Sequence, residues 1–525
     1  MQRLFVSLLL LLSIFPIAAQ VSVTTSRNDN SRDGQNLSET ILTPANVNVT
    51  HFGRLFSQPV DGYVYAQPLY VPNVSIPGLG THNVVYVATE HDSVYAFDAD
   101  TNTGIDASPL WHSSFINPSK GITTQTSGDV NCTDIIPEIG ITSTPVIDVN
   151  TQTIFVLAKT KENGKFVQRL HALNITTGAE QPNSPVVIQA RVKGNGDGSA
   201  NGFVTFDPLK GGQRAGLLLL NGAVFVAWAS HCDDVPYHGW LMSYDETTLK
   251  QTRVWNTTPN GGLGGVWQSG AGLASDGSYV FFATGNGTYD GPKGGFDFGD
   301  SVIRFPTLPG LLGDYFTPFN QSDYDQGDTD VGSGGVLLLP DQGLGAPHQH
   351  LLVQAGKSGS IYLIDRDHMG RFNPNTNQIV QDLETAIGNS WSTPAWWNNN
   401  AYFGGSTDYL RQYTFDPATG LLSYSAVALA PTFFGFPGST PSISANGTDD
   451  AIVWALQTDA FNSGPAVLHA YDATNIATEF YNSRQNAARD NPGPAVKFTV
   501  PTIANGKVYV PAAQRLSVYG LLGAH

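Results

Sequence analysis

Residues 84–104, VVYVATEHDSVYAFDADTNTG, decide the fold. Tyr86 and Ala88, then Val94 and Ala96, alternate with their neighbours at the two-residue period of a strand. Residues 90–92 carry a tight turn between the two runs, and an Asp-bearing turn follows that closes on Gly104. One such hairpin cannot bury its apolar residues alone. Copies stacked beside it can, so the fold depends on how often the pattern recurs.

It recurs to the end of the chain. Strand, turn, strand and closing turn are legible at residues 63–111, 143–178, 221–245, 279–305, 351–365, 392–420, 439–472 and 500–519. Eight units at roughly 50–75 residue spacing suit four-stranded blades with long insertions. The expected fold is all-β, an eight-bladed β-propeller. Residues 52–60 form a strand pattern with no hairpin partner nearby, and pairing it with the last repeat would close the ring and remove its open edge. The expected organisation is a signal peptide at 1–19, an extended N-terminal segment at 20–44 and a single propeller at 45–525.

Composition narrows the functional classes. Only 13% of residues are charged, and 56 Gly and 32 Pro accompany 27 Phe and 20 Tyr, a turn-rich and aromatic-rich profile without helical periodicity. The formal net charge of -17 argues against nucleic acid or an anionic membrane as partner, since both need cationic patches. Arg3, an apolar run over 4–14 and the small pair Ala18-Ala19 make a secretory signal; the run is too short to span a bilayer. Asn36, Asn48, Asn73, Asn131, Asn174, Asn256, Asn286, Asn320 and Asn446 each open an Asn-x-Ser/Thr triplet, consistent with a glycosylated extracellular protein. Cys132 and Cys232 are the two cysteines; in an oxidising compartment they read as one disulfide closing a long loop, or as two separate buried thiols.

The repeat itself, with strands ending in Ala-Phe-Asp98 or Ala-Tyr-Asp472 and turns closing at Gly104, Gly178 and Gly420, resembles that of the quinoproteins that bind pyrroloquinoline quinone (PQQ). That resemblance implies an eight-bladed propeller whose dehydrogenase members hold PQQ and Ca²⁺ at one end of the channel. Gly264-Gly265-Val266-Trp267 resembles the segment whose indole lies on the quinone; the alternative is a Trp packed between blades. Ala283-Thr284-Gly285-Asn286 resembles the strand end whose Asn oxygen ligates Ca²⁺; the alternative is a glycosylated turn. Residues 355–366 resemble the segment whose cation, here Lys357, contacts the quinone oxygens; the alternative is a solvated turn lysine.

Departures from the family count equally. Asp234 falls where a Glu metal ligand is usual, and Asn320 where the dehydrogenases carry the Asp that accepts the substrate proton, a task an amide cannot perform. Asp323, Asp325, Asp328 and Asp330 are candidates to replace it through a shifted loop, or form a solvated acidic run. The family's vicinal Cys pair is missing, and no Cys-x-x-Cys-His haem motif is present. Two functions remain in view. One is a secreted, monomeric PQQ- and Ca²⁺-dependent oxidoreductase acting on an alcohol or sugar. The other is a non-catalytic secreted propeller that binds a glycan or protein through its blade loops.

Overall fold

The computed structural model describes residues 20–308, 312–461 and 463–523, so the expected signal segment lies outside the described residues. Eight sheets surround a central axis as the blades of a β-propeller. Their innermost strands are, in chain order, Leu69–Ile76, Val146–Asp148, Leu218–Leu220, Ala274–Ser275, Leu337–Leu338, Ala395–Trp397, Ser442–Asn446 and Thr502–Ala504. Among the described residues no helix is long and apolar enough to cross a membrane.

The hairpin that predicts the fold pairs Gly80–Thr89 with Ser93–Asp98, Val84 opposite Asp98 and Thr89 opposite Ser93. Asp92 takes the left-handed turn conformation, with φ of 52°. The period-two pattern serves two apolar faces. Tyr86, Ala88, Val94 and Ala96 pack on Ile147, Ile154 and Val156 of the second blade. Val85, Val87, Tyr95 and Phe97 pack on Tyr509, Leu516 and Val518 of the eighth. Each blade is thus the core of its neighbours, and truncating a buried ring such as Phe97 to Ala is expected to cost about 3–5 kcal/mol.

Ring closure follows the expected pairing. Phe52–Tyr63 runs antiparallel to Lys507–Leu521, with Phe52 opposite Leu521 and Tyr63 opposite Ala513. Lys507–Leu521 doubles back at Gln514, whose φ is 56°, and brings Gly520 against the Gly506 carbonyl. The first and last portions of the chain therefore share one blade, which leaves the ring without an open edge.

The N-terminal segment, expected as an extended stretch, has a partner in every blade. Val23 exchanges two 2.8 Å backbone hydrogen bonds with Tyr70 of the first, and the Thr24 carbonyl accepts from Ile147 of the second at 2.8 Å. Asn30 donates from its side chain to the Leu219 carbonyl of the third at 3.2 Å. Backbone N–H groups of Ser275, Leu338, Trp396 and Ile443 then donate to the carbonyls of Asn30, Ser31, Asp33 and Gly34, at 2.6–2.9 Å. Asn36 completes the circuit on the Ile503 carbonyl of the eighth blade, at 3.2 Å.

Two arginines anchor this plug. Arg32 is fully buried and donates to the carbonyls of Leu273 (2.8 Å) and Ser26 (2.6 Å) and to Thr25 Oγ1 (2.7 Å). Arg27 reaches the carbonyls of Pro394 (2.6 Å) and Pro441 on the far side of the ring. Burial lowers both guanidinium pKa values to about 10, against the pull of nearby Asp29 and Asp33, so both stay charged at neutral pH. The edges of eight inner strands would otherwise leave backbone groups unpaired at the axis; this segment supplies their partners.

Candidate functional site

Beyond the plug, the channel opens into a cavity of about 190 Å³. Phe498 belongs both to its wall and to the small space that Ser26 and Arg27 border, which places the cavity directly over the plug. A larger groove of about 660 Å³ lies off the axis on strands of the second and third blades, with Lys165 and Arg191 its charged lining residues.

Two of the sequence-marked segments are zipped together at the cavity. The Gly264 N–H donates to the Asn286 carbonyl at 2.6 Å, and the Gly285 N–H to the Gly265 carbonyl at 2.9 Å. Trp267 enters the wall from a strained coil in which Gln268 (φ 45°), Ser269 (φ 51°) and Gly270 (φ 95°) are all left-handed. Non-glycine residues held there cost of order 1 kcal/mol each and persist where surrounding contacts enforce them. Here the buried Gln268 side chain accepts from the Ala283 N–H at 3.0 Å. Gly285 permits the closest approach: a Cβ at that position would lie 2.4 Å from Asp330 Oδ1.

Lys357 links the third segment to this group. Its Nζ lies 5.9 Å from the Trp267 ring centroid, within cation–π range. The same ammonium contacts Asp330 Oδ2 at 2.7 Å and Asp328 Oδ1 at 2.6 Å. Asp330 is buried, and its Oδ1 accepts the Asn286 N–H at 2.6 Å. Burial raises the Asp330 pKa, with Lys357 opposing it; for Lys357 burial pulls downward, but the two carboxylates outweigh it and leave the pKa raised. Asp300, fully buried beside them, is raised well above the carboxylate range by burial and then by Asp330.

The other marked residues are placed as follows. Asn286 is 7% exposed, its Nδ2 donates to Asp328 at 2.8 Å, and its Oδ1 is buried with no hydrogen-bond partner among the described residues. Asp234 stands apart: its side chain is 55% exposed and faces Lys210 at 3.3 Å, while the adjacent Asp233 lines the cavity and accepts from Tyr237 Oη at 2.5 Å. Asp323 and Asp325 lie on the short helix Gln321–Gln326, Asp323 exposed, Asp325 half-buried with its pKa raised by burial, and neither lines the cavity. Asn320 sits at the N-cap position of that helix without a capping hydrogen bond, its Oδ1 buried without a partner among the described residues. Cys132 and Cys232 form a disulfide with Cα atoms 5.8 Å apart, and Cys232 lies in the cavity wall.

Several residues of the site carry no local sequence signal. Asp134, Arg214, Trp391 and Lys497 line the cavity from four separated parts of the chain. Behind Asp134 runs a buried chain of donors: Lys159 Nζ donates to His231 Nε2 at 3.0 Å, and His231 Nδ1 faces Asp134 Oδ2 at 3.2 Å. When Lys159 is an ammonium it has no acceptor to offer, and His231 then carries its proton on Nδ1 and donates it toward Asp134. Burial lowers the Lys159 pKa to about 7.

No protein-family model and no curated protein sequence matches this chain. Among solved structures, the quinohemoprotein alcohol dehydrogenase ADHIIG of Pseudomonas putida HK5 matches with a TM-score of 0.59 at 15% identity, over 96% of this chain and 81% of that one. The quinohemoprotein alcohol dehydrogenase of Comamonas testosteroni gives 0.60 at 13% identity, over 97% and 82%. A europium-containing methanol dehydrogenase gives 0.61 at 13% identity, over 95% and 98%. What this chain has in common with these enzymes, at such identities, is the eight-bladed propeller fold.

Proposed function

We propose that this chain is a secreted oxidoreductase that oxidises an alcohol or sugar with PQQ at the channel mouth. One observation carries the reading: Trp267, Lys357 and Asp330, far apart in sequence, meet at a single cavity wall on the axis. The residues suit a flat quinone. An indole provides a face and Lys357 a cation at its rim, while Gly265 and Gly285 let the wall pack closely, since a Cβ there would lie 2.7 Å from Ala229 and 2.4 Å from Asp330.

When bound, PQQ supplies the two-electron acceptor. The chain supplies the rest. Asp330, with its pKa raised by burial, takes the role of general base that Asn320 cannot fill, accepting the hydroxyl proton of the substrate. Lys357 stabilises negative charge beside Trp267 and holds Asp330 in place.

Calcium does not fit this donor set. Ca²⁺ takes roughly six to eight oxygens. Here Asn286 Oδ1 is without a partner among the described residues, but Asp328 and Asp330 already share the Lys357 ammonium, and Asp234 faces Lys210. No step is assigned to a metal.

A second reading, a propeller that binds a small ligand without chemistry, is favoured by the cavity volume. About 190 Å³ lies below the ~300–1,000 Å³ of pockets that hold drug-sized ligands. Dye reduction separates the two. Protein dialysed against EDTA, mixed with PQQ and a panel of alcohols and aldoses, reduces a redox dye under the oxidoreductase reading; PQQ-independent or absent dye reduction leaves the binding reading.

A further inference from the structure

The cavity holds a second cationic group that the proposed chemistry does not use. Arg214 is 4% exposed and lines the cavity, yet among the described residues its guanidinium makes no hydrogen bond and no ion pair. Its one defined contact is the face of Phe498, 4.7 Å from the ring centroid. Lys497 lines the same wall, again without a hydrogen bond or ion pair among the described residues, its Nζ 5.6 Å from the same ring and 5.2 Å from Phe461. The guanidinium nitrogens, without a protein acceptor among the described residues, keep their open side to the cavity, so a ligand that displaces the water there must accept from them.

The nearby acids do not perform that task. Asp134 is engaged by His231 and by the Ile135 N–H, at 3.2 and 2.8 Å. Glu90 is fully buried, accepts from the Gly140 N–H and Thr142, and its pKa is raised to about 8 by burial, so at neutral pH it is mostly uncharged. Mutual repulsion shows in Lys497, whose pKa falls to about 8, first through burial and then through Arg214. Asp233 and Asp330, the other carboxylates of the wall, are engaged by Tyr237 and Lys357, so an acceptor for the Arg214 guanidinium is the missing component.

We propose that Arg214 and Lys497 form a binding site for a carboxylate carried on a small apolar or aromatic body. The guanidinium fork takes a carboxylate or a phosphate bidentately, and the aromatic walls select the ligand that carries an apolar body, which inorganic phosphate lacks. The walls suit the body: Trp391 and Phe436 meet edge-to-face at 5.1 Å, and Phe436 and Phe498 at 6.0 Å. The site stands whether or not the channel mouth performs redox chemistry. Two sources supply this group, a free carboxylic acid or a carboxylate of the quinone.

Calorimetry on the full chain with benzoate, benzamide, inorganic phosphate and PQQ tests it. Benzoate is expected to bind, with benzamide at least about tenfold weaker for want of the charge-assisted contact and phosphate at least about tenfold weaker for want of an apolar body. Arg214→Met and Lys497→Met are each expected to weaken benzoate by about tenfold or more. Removing the unpaired cation in Arg214→Met should leave the ligand-free melting temperature equal or higher, which separates loss of binding from loss of folding. If PQQ displaces benzoate and needs Arg214, the carboxylate is the cofactor's; if benzoate binds alongside PQQ or PQQ does not bind, it is a free acid's. Benzamide or phosphate binding as tightly as benzoate, or unchanged benzoate affinity in both variants, overturns the proposal.

Discussion

Lys357 Nζ lies 2.7 Å from Asp330 Oδ2, and Asp330 Oδ1 accepts the N–H of Asn286 at 2.6 Å, so one buried carboxylate ties two sequence-marked segments together. Asp330→Asn breaks this link while Asp328 still holds the lysine. The expected loss is about 3 kcal/mol of stability, the low end for a broken buried pair, measured by urea unfolding. PQQ binding should persist and turnover disappear; retained turnover would remove Asp330 as the base.

Glu90 makes a pH prediction with a definite sign. Its Oε2 accepts from the Gly140 N–H at 2.7 Å, its Oε1 has no partner among the described residues, and burial raises its pKa from 4.5 to about 8. The folded state therefore holds a proton that the unfolded chain releases. The stabilisation is complete below pH 4.5 and is lost as pH rises through about 8. Glu90→Gln should flatten unfolding free energy across that window, and an unchanged slope would show that other groups control it.

Arg32 tests the plug. It ties the N-terminal segment to the Leu273 carbonyl of the fourth blade and to its own Ser26 and Thr25. Arg32→Met leaves these buried acceptors unpaired, and about 3 kcal/mol or more of stability should be lost. A variant melting as the parent does would mean that the segment is not needed to hold the blades.

Glycan occupancy is decided by burial. Asn36, Asn256 and Asn286 are 3%, 3% and 7% exposed, whereas Asn73, Asn131 and Asn446 are exposed. Protein secreted from a eukaryotic host should carry glycans within the exposed set and none at the buried three, read by peptide mass spectrometry. A glycan at Asn286 would contradict its hydrogen bond to Asp328.

The fold was legible because each blade must be written in local strand-and-turn chemistry, and residues 84–104 show it with both faces apolar. Ring closure was legible for a related reason: residues 52–60 had strand periodicity and no local partner. Trp267, Asn286 and Lys357 carried local sequence marks because each lies in a short Gly-bearing segment between strands, and the structure brings the three together, while their function is proposed. Arg214, Lys497 and the Lys159–His231–Asp134 chain carried none, because nothing local marks a residue whose partners arrive from other blades. Asp233 and Asp234 show the finest limit: a turn with left-handed Cys232 (φ 48°) and Asp233 (φ 50°) directs the first inward and the second toward Lys210. Residues 20–44 read as polar and extended, and their role becomes visible when eight inner strand edges are brought to one axis.

The central claim is that the wall formed by Trp267 and Lys357 receives a quinone. Titrating EDTA-dialysed protein with PQQ, following tryptophan fluorescence, tests it directly. One equivalent should bind with quenching, and the quenching should be largely lost in Trp267→Ala while a Trp391→Phe variant still binds. No saturable binding, or undiminished quenching in Trp267→Ala, would contradict it.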